Sequence, residues 1–163
     1  MNISGLKSKI GKQNMKKVII TGVSTGIGYA CAKILCNSGY FVYGSVRKSE
    51  DAERVKDKLG DNFHPLIFDI TNSQGILDAV AKVKSELKKP ECIAGLVNNA
   101  GVAMGGPVTL IGTEVFRKQF DINFFGLIDV TKAFLPLLGA TKNSYYQGKI
   151  INISSVSGKR SYP

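Results

Sequence analysis

Val18-Ile19-Ile20-Thr21-Gly22-Val23-Ser24-Thr25-Gly26-Ile27-Gly28 decides the fold. The stretch opens as a short β-branched apolar run, the signature of a buried strand, and its glycines lead into a helical pattern over 26–38. A glycine triplet alone is weak evidence, because a plain turn also uses glycine. Between a strand and a helix each glycine has a physical reason. Gly22 permits the tight turn, Gly26 lets a pyrophosphate approach the backbone, and Gly28 allows helix and strand to pack closely. The helix amino terminus adds unpaired N–H groups and a dipole that favours anions.

Outward from this stretch, short apolar runs at 17–21, 41–45, 65–69, 93–98 and 149–154 read as strands. Helical patterns cover 26–38, 52–59, 73–88 and 113–138. Strand–helix alternation implies parallel strands with helical crossovers, hence a doubly wound α/β sheet. Met104-Gly105-Gly106-Pro107 is a turn signal between the fourth strand and the long helix. No internal repeat or low-complexity stretch interrupts the pattern, and the apolar runs are too short to cross a membrane.

The net charge of +10 is distributed rather than focused. Lys7, Lys9 and Lys12 account for +3 of it in residues 1–14, which contain no acid. That segment reads as a disordered basic tail, or as a start placed ahead of a true beginning at Met15. No aromatic or Arg-rich interleaving accompanies it, so a nucleic-acid arm is disfavoured. Lys82, Lys84, Lys88 and Lys89 read as solvated helix faces. Cys31, Cys36 and Cys92 lie inside apolar patterns without metal-ligand spacing. They read as buried reduced thiols of a cytoplasmic protein, and no metal site is expected.

The long helix carries an apolar stripe, Phe116, Phe120, Leu127, Val130, Phe134 and Leu137, with Asn123 at the stripe position between Phe120 and Leu127. A buried Asn needs a partner for its amide. It either fixes the helix register through a bonded amide or holds a water or backbone group near a site, and spacing does not choose between them. His64, the only histidine, precedes Pro65 and is expected in a surface loop, which disfavours a serine hydrolase. No Gly-Lys-Ser/Thr follows the glycines, which excludes a P-loop phosphotransferase.

Four motifs in order resemble the short-chain dehydrogenase/reductase family. They are Thr21-Gly22-x-x-x-Gly26-x-Gly28, Asn98-Asn99-Ala100-Gly101, Asn123-x-x-Gly126 with Thr131 and Pro136, and Ile153-Ser154-Ser155. The resemblance covers residues 16–163. It implies a Rossmann-type fold, here with about five of the family's seven strands in the order 3-2-1-4-5. It also implies hydride transfer between NAD(P) and an alcohol or carbonyl carbon. On this resemblance Gly22, Ser24, Gly26, Ile27 and Gly28 hold the dinucleotide, and Asp69, with Ile70 beside it, holds the adenine amino group. Asn98, Ala100 and Gly101 line the adenosine side and steady the sheet. Asn123 is implied as a proton-relay residue, and Ser155 as the serine that polarises the substrate carbonyl.

The acid that selects NAD by binding the ribose 2′-hydroxyl belongs at the end of the second strand. Gly44-Ser45-Val46-Arg47-Lys48 stands there, without a carboxylate before Glu50. A guanidinium at Arg47 can grip a 2′-phosphate bidentately, with Ser45 and Lys48 assisting, so NADP is expected over NAD. The family's Tyr-x-x-x-Lys belongs farther beyond the serine than Pro163 reaches, and Tyr162 is too close to Ser155 to replace it. The expectation is therefore a carboxy-terminally incomplete NAD(P)-binding domain over 15–163, inactive by itself, acting on a small apolar alcohol or carbonyl substrate. The alternative is a non-catalytic nucleotide-binding or partner-docking module. Ile150, Ile151 and Ile153 on an open sheet edge, with part of the helix stripe, imply a homo-oligomer or association with a complementary carboxy-terminal fragment. No nucleic-acid or membrane partner is expected.

Overall fold

Strand β1 (Lys17–Ile20) forms the middle of a five-stranded sheet. The computed structural model describes residues 15–88, 91–140 and 147–159, so the expected tail 1–14 and Tyr162 lie outside the described residues. From β1 the chain passes through α1 (Gly26–Asn37), β2 (Phe41–Val46), α2 (Ser49–Leu59), β3 (Phe63–Ile67), α3 (Ser73–Glu86) and β4 (Gly95–Asn98). A long helical rod leads from there to β5 (Lys149–Asn152). The sheet order is β3-β2-β1-β4-β5 with every pairing parallel, as the alternation predicted.

Alternation along the strands sends side chains to two separate cores. Ile19, Tyr43, Leu66 and Leu96 face α3 and the end of the helical rod, meeting Ile76, Ala79, Val83, Val130, Phe134 and Leu138. Val18, Ile20, Val42, Val46, Phe63 and Val97 face α1 and α2, meeting Ala32, Cys36, Ala52 and Val55. Each large aliphatic or aromatic side chain fully buried here contributes about 1.5–3 kcal/mol. Both faces of the inner strands are therefore anchored before any ladder bond is counted. Of the cysteines, Cys36 is buried and Cys31 and Cys92 are half-buried.

Two elements depart from the sequence expectation. Strand β3 begins at Phe63 rather than Pro65, so His64 is a strand residue, half-buried, not part of a surface loop. Pro65 is tolerated because β3 is an edge strand: it pairs only with β2, opposite Gly44, and needs no donor on its outer side. The rod expected as one helix over 113–138 is α4 (Thr113–Phe120), a π-helical segment (Asp121–Gly126), α5 (Leu127–Phe134) and a 3₁₀ turn (Leu135–Leu138). Hydrogen bonds of the i→i+5 kind insert an extra residue into the turn and rotate the helix beyond it. The stripe is broken accordingly. Val130 and Phe134 are buried, whereas Phe116, Phe120, Phe124 and Phe125 are exposed, and Asn123 is exposed rather than set in a buried stripe.

At the other edge, β5 leans on β4. Ile150 and Ile151 are 39% and 53% exposed, so neither face of the strand is covered by the described residues. A cross-strand bond reinforces the ladder: Asn98 Nδ2 donates to Asn152 Oδ1 at 2.8 Å and to Thr131 Oγ1 at 2.9 Å. Asn98 therefore ties β4, α5 and β5 at one buried point. No helix among the described residues is long and apolar enough to cross a membrane.

Candidate functional site

The carboxyl ends of β1, β2, β3 and β4 surround a cleft of about 280 Å³, beside the point where the strand order reverses around β1. Of the sequence-predicted residues, Gly22, Ser24, Arg47, Asp69, Ile70, Ala100 and Gly101 line it. Gly26, Ile27 and Gly28 begin α1 directly behind this wall. Asn98 does not line the cleft. It is buried in the sheet, where its amide steadies β5. Ser155 is exposed beyond β5 and outside the cleft lining.

The phosphate loop is held from three sides. Thr21 Oγ1 accepts from the backbone N–H groups of Asn99 and Ala100, each at 2.9 Å. Asn99 Nδ2 donates to the carbonyls of Thr21 and Gly22 at 2.9 Å. Gly22 N–H donates to Ser45 Oγ at 3.0 Å. Sequence reasoning does not single out Thr21 and Asn99 as site residues, and it names Ser45 only as an aid to Arg47. All are buried or half-buried polar residues at strand ends, and that position is the available signal. Ser45, expected to assist Arg47, lines the cleft beside it and also holds the loop, its Oγ accepting from Gly22 N–H.

The loop that results suits an anion. Gly26 has φ +61°, and a Cβ built there would meet nothing within 4 Å, so the backbone is open to a ligand. Thr25, the N-cap of α1, makes no side-chain capping bond, and no acid occupies the first turn. The donors of that turn keep their affinity for negative charge. These features fit a dinucleotide phosphate.

Asp69 sits across the cleft. Burial would raise its carboxyl, but bonds to Oδ1 from Thr71 N–H (2.9 Å) and Thr71 Oγ1 (2.7 Å), with the nearby Arg47 charge, hold it below the ordinary carboxylate value. It is an ionised acceptor at neutral pH, and neither Thr71 bond uses Oδ2. Asn123 meets the cleft wall through Val102: Oδ1 accepts from Val102 N–H at 2.9 Å and Nδ2 donates to Val102 O at 2.8 Å. Both ends of its amide clamp one residue of the cleft lining. Ser155 Oγ accepts from Ser157 N–H at 3.1 Å, which leaves its own proton available to a donor bond.

The spacing Gly22-x-Ser24-x-Gly26 also matches a serine-nucleophile elbow, a match that the resemblance to a dinucleotide loop obscures. Its base is lacking. His64 lies by Tyr43 and Glu86, outside the cleft lining. Among the described residues no group of three or more His, Cys, Asp or Glu is placed to hold a metal.

A family model described as short chain dehydrogenase matches residues 16–163. An NADPH-dependent 3-dehydrocapnine reductase of Ornithobacterium rhinotracheale is 40% identical over 149 residues, covering 91% of this chain and 52% of that protein. A 3-ketodihydrosphingosine reductase of Bacteroides thetaiotaomicron is 37% identical over 147 residues, covering 90% of this chain and 49% of that one. The crystal structure of an actinorhodin polyketide ketoreductase with NADPH superposes with a TM-score of 0.82 at 27% identity, covering 92% of this chain and 57% of the other. The chain thus spans about half the length of the curated relatives it matches. Its strand order, phosphate loop and nearly full-length match agree, and the chain belongs to the short-chain dehydrogenase family.

Proposed function

We propose that this chain is the nucleotide-binding part of an NADP(H)-dependent oxidoreductase that interconverts a carbonyl and an alcohol on an apolar substrate. The observation that carries the proposal is the cleft corner where the open phosphate loop meets Arg47 at the end of β2, while the carboxylate that lines the cleft, Asp69, stands at the end of β3. The first turn of α1 would hold the pyrophosphate, Arg47 a 2′-phosphate on the ribose, and Asp69 the adenine amino group. Ile70, Ala100 and Gly101 would line the adenosine side.

Such a nucleotide, when bound, supplies or accepts the hydride. The chain's own residues orient the partner carbonyl. Ser155 can donate its hydroxyl proton in a hydrogen bond to the carbonyl oxygen. Asn123 acts indirectly, by fixing the Val102 segment through its two amide bonds. No Tyr or Lys lines the cleft, so among the described residues none there has the acidity to give that oxygen a full proton.

An apolar substrate is supported by Val102, Met104, Val108 and Leu110 on the segment after β4, with Val108 and Leu110 75% and 82% exposed. The two relatives are named as reductases of 3-dehydrocapnine and of 3-ketodihydrosphingosine, the second a ketone by name. The cofactor assignment is tested by titrating the chain with NADP⁺ and NAD⁺ in a calorimeter. NADP⁺ should bind more tightly, and Arg47→Asp should cost it about tenfold or more, the worth of one charge-assisted bond. Tighter binding of NAD⁺, or an unchanged preference in Arg47→Asp, refutes the assignment.

A further inference from the structure

Arg54 plays no part in the contacts proposed above, yet it reaches the phosphate loop. From α2 its Nη2 donates to the Ser24 carbonyl at 2.9 Å and also to Asp51 Oδ1, one turn earlier on the same helix. Asp51 thus fixes the guanidinium and balances its charge.

The peptide joining Ser24 to Thr25 is planar. In the trans form its carbonyl and its N–H point to opposite sides. A guanidinium that holds the carbonyl toward α2 turns the Thr25 N–H away from α2. The donors of the loop before Ser24 are engaged: Thr21 N–H with Val97 O at 3.0 Å, Gly22 N–H with Ser45 Oγ at 3.0 Å, and Val23 N–H with Ser45 O at 2.9 Å. The Thr25 N–H has no partner among the described residues, and Thr25 lines the cleft together with Arg47.

We propose that Arg54 is a positioning residue for phosphate recognition: it sets the Ser24–Thr25 peptide so that the Thr25 N–H joins Arg47 in holding a phosphomonoester on the ribose. The proposal rests on the nucleotide reading of the cleft. It differs from a direct charge effect, because Arg54 is already paired with Asp51 and with a backbone carbonyl.

The test titrates the 163-residue chain with 2′,5′-ADP, NADP⁺ and NAD⁺ in a calorimeter, for wild type, Arg54→Ala and Arg54→Lys. Melting temperatures are recorded for each, and the Thr25 amide is followed by ¹⁵N NMR. Arg54→Ala should weaken both 2′-phosphorylated ligands about tenfold, as loss of a bond to a charged group does, with NAD⁺ nearly unchanged. The Thr25 amide should shift on adding 2′,5′-ADP to wild type and not to Arg54→Ala. Arg54→Lys keeps a donor and a charge, so it should retain part of the selectivity and serves where Arg54→Ala does not fold. Equal weakening of all three ligands, unchanged affinities in both variants, or a Thr25 amide blind to 2′,5′-ADP overturns the proposal. Wild type that binds none of the three ligands instead overturns the nucleotide reading itself.

Discussion

At the scale of single residues, the phosphate loop separates two duties that glycine can perform. Gly28 is required by packing: a Cβ there would lie 2.2 Å from Gly22 O and 2.4 Å from Asn99 Nδ2, atoms that bond each other. Gly26 is required by conformation and access, with φ +61° and open space where a Cβ would go. The two alanine variants should therefore fail differently. Gly28→Ala should lose about 1–3 kcal/mol in urea unfolding, because backbone rather than a flexible side-chain end must move. Gly26→Ala bears only the milder strain of a left-handed alanine, about 1–2 kcal/mol. Its methyl group enters the space left for phosphate, so it should lose nucleotide affinity out of proportion to stability. Equal stability losses with equal affinities would contradict this division.

At the scale of elements, the legible and the concealed parts of the fold have separate physical causes. The inner strands are legible because both their faces are buried, which writes them as apolar runs, and the phosphate loop because its glycines sit between strand and helix. Strand β3 is misplaced by two residues because Pro65 reads as a breaker unless the strand is known to be an edge, a property of the sheet and not of the segment. The π-helical segment Asp121–Gly126 is invisible to a 3.6-residue period, and Asn123 is assigned to the wrong surface as a result. The supports of the loop, Thr21, Ser45 and Asn99, act across distant parts of the chain, which no local pattern reveals.

The misplaced strand supplies a test. The His64 ring lies 5.7 Å from that of Tyr43 and 6.5 Å from that of Phe41, with Nδ1 3.5 Å from Glu86 Oε2. Tyr43 OH donates to the same carboxylate oxygen at 3.0 Å. Burial disfavours the imidazolium most. Glu86 opposes that while Lys82 and Lys56 add to it, and the outcome is a value below the ordinary one. The unfolded chain then binds the proton at higher pH than the folded chain does. His64 should thus contribute stability that is complete above about pH 6.5 and is lost as pH falls toward the folded value. Asp69 and Glu91, also held low, obey the same sign in a more acidic window. Urea midpoints from pH 7.5 to 5 should fall in wild type and stay flatter in His64→Gln. A histidine NMR titration at the ordinary value would remove this contribution, and one above it would reverse the sign.

At the scale of the molecule, binding and chemistry are unequally provided for. The phosphate loop, Arg47 and Asp69 converge on one cleft, so the groups proposed to hold a nucleotide are all among the described residues. Turnover also needs a group that gives or takes the carbonyl oxygen's proton, and positioned acid–base groups typically contribute about 10²–10⁴-fold in rate. The cleft lining offers Ser24, Thr25, Ser45 and Asn99, none of which ionises near neutrality, and Asp69, which is held deprotonated. Ser155 stands exposed beyond a strand whose Ile150 and Ile151 are uncovered, while Phe120, Phe124 and Phe125 are 58%, 51% and 53% exposed on the helical rod. Apolar surface of this extent binds other apolar surface. We predict that the 163-residue chain alone binds NADPH, self-associates as its concentration rises, and oxidises NADPH no faster than background with ketones of increasing alkyl length. Gel filtration, fluorescence titration and the 340 nm assay check the three parts. Phe120→Glu with Phe124→Glu should reduce the association without touching nucleotide affinity. Ser155-dependent turnover by the unaided chain would show that a proton donor outside the cleft lining reaches the carbonyl, and would move the search for that donor to the exposed end of β5.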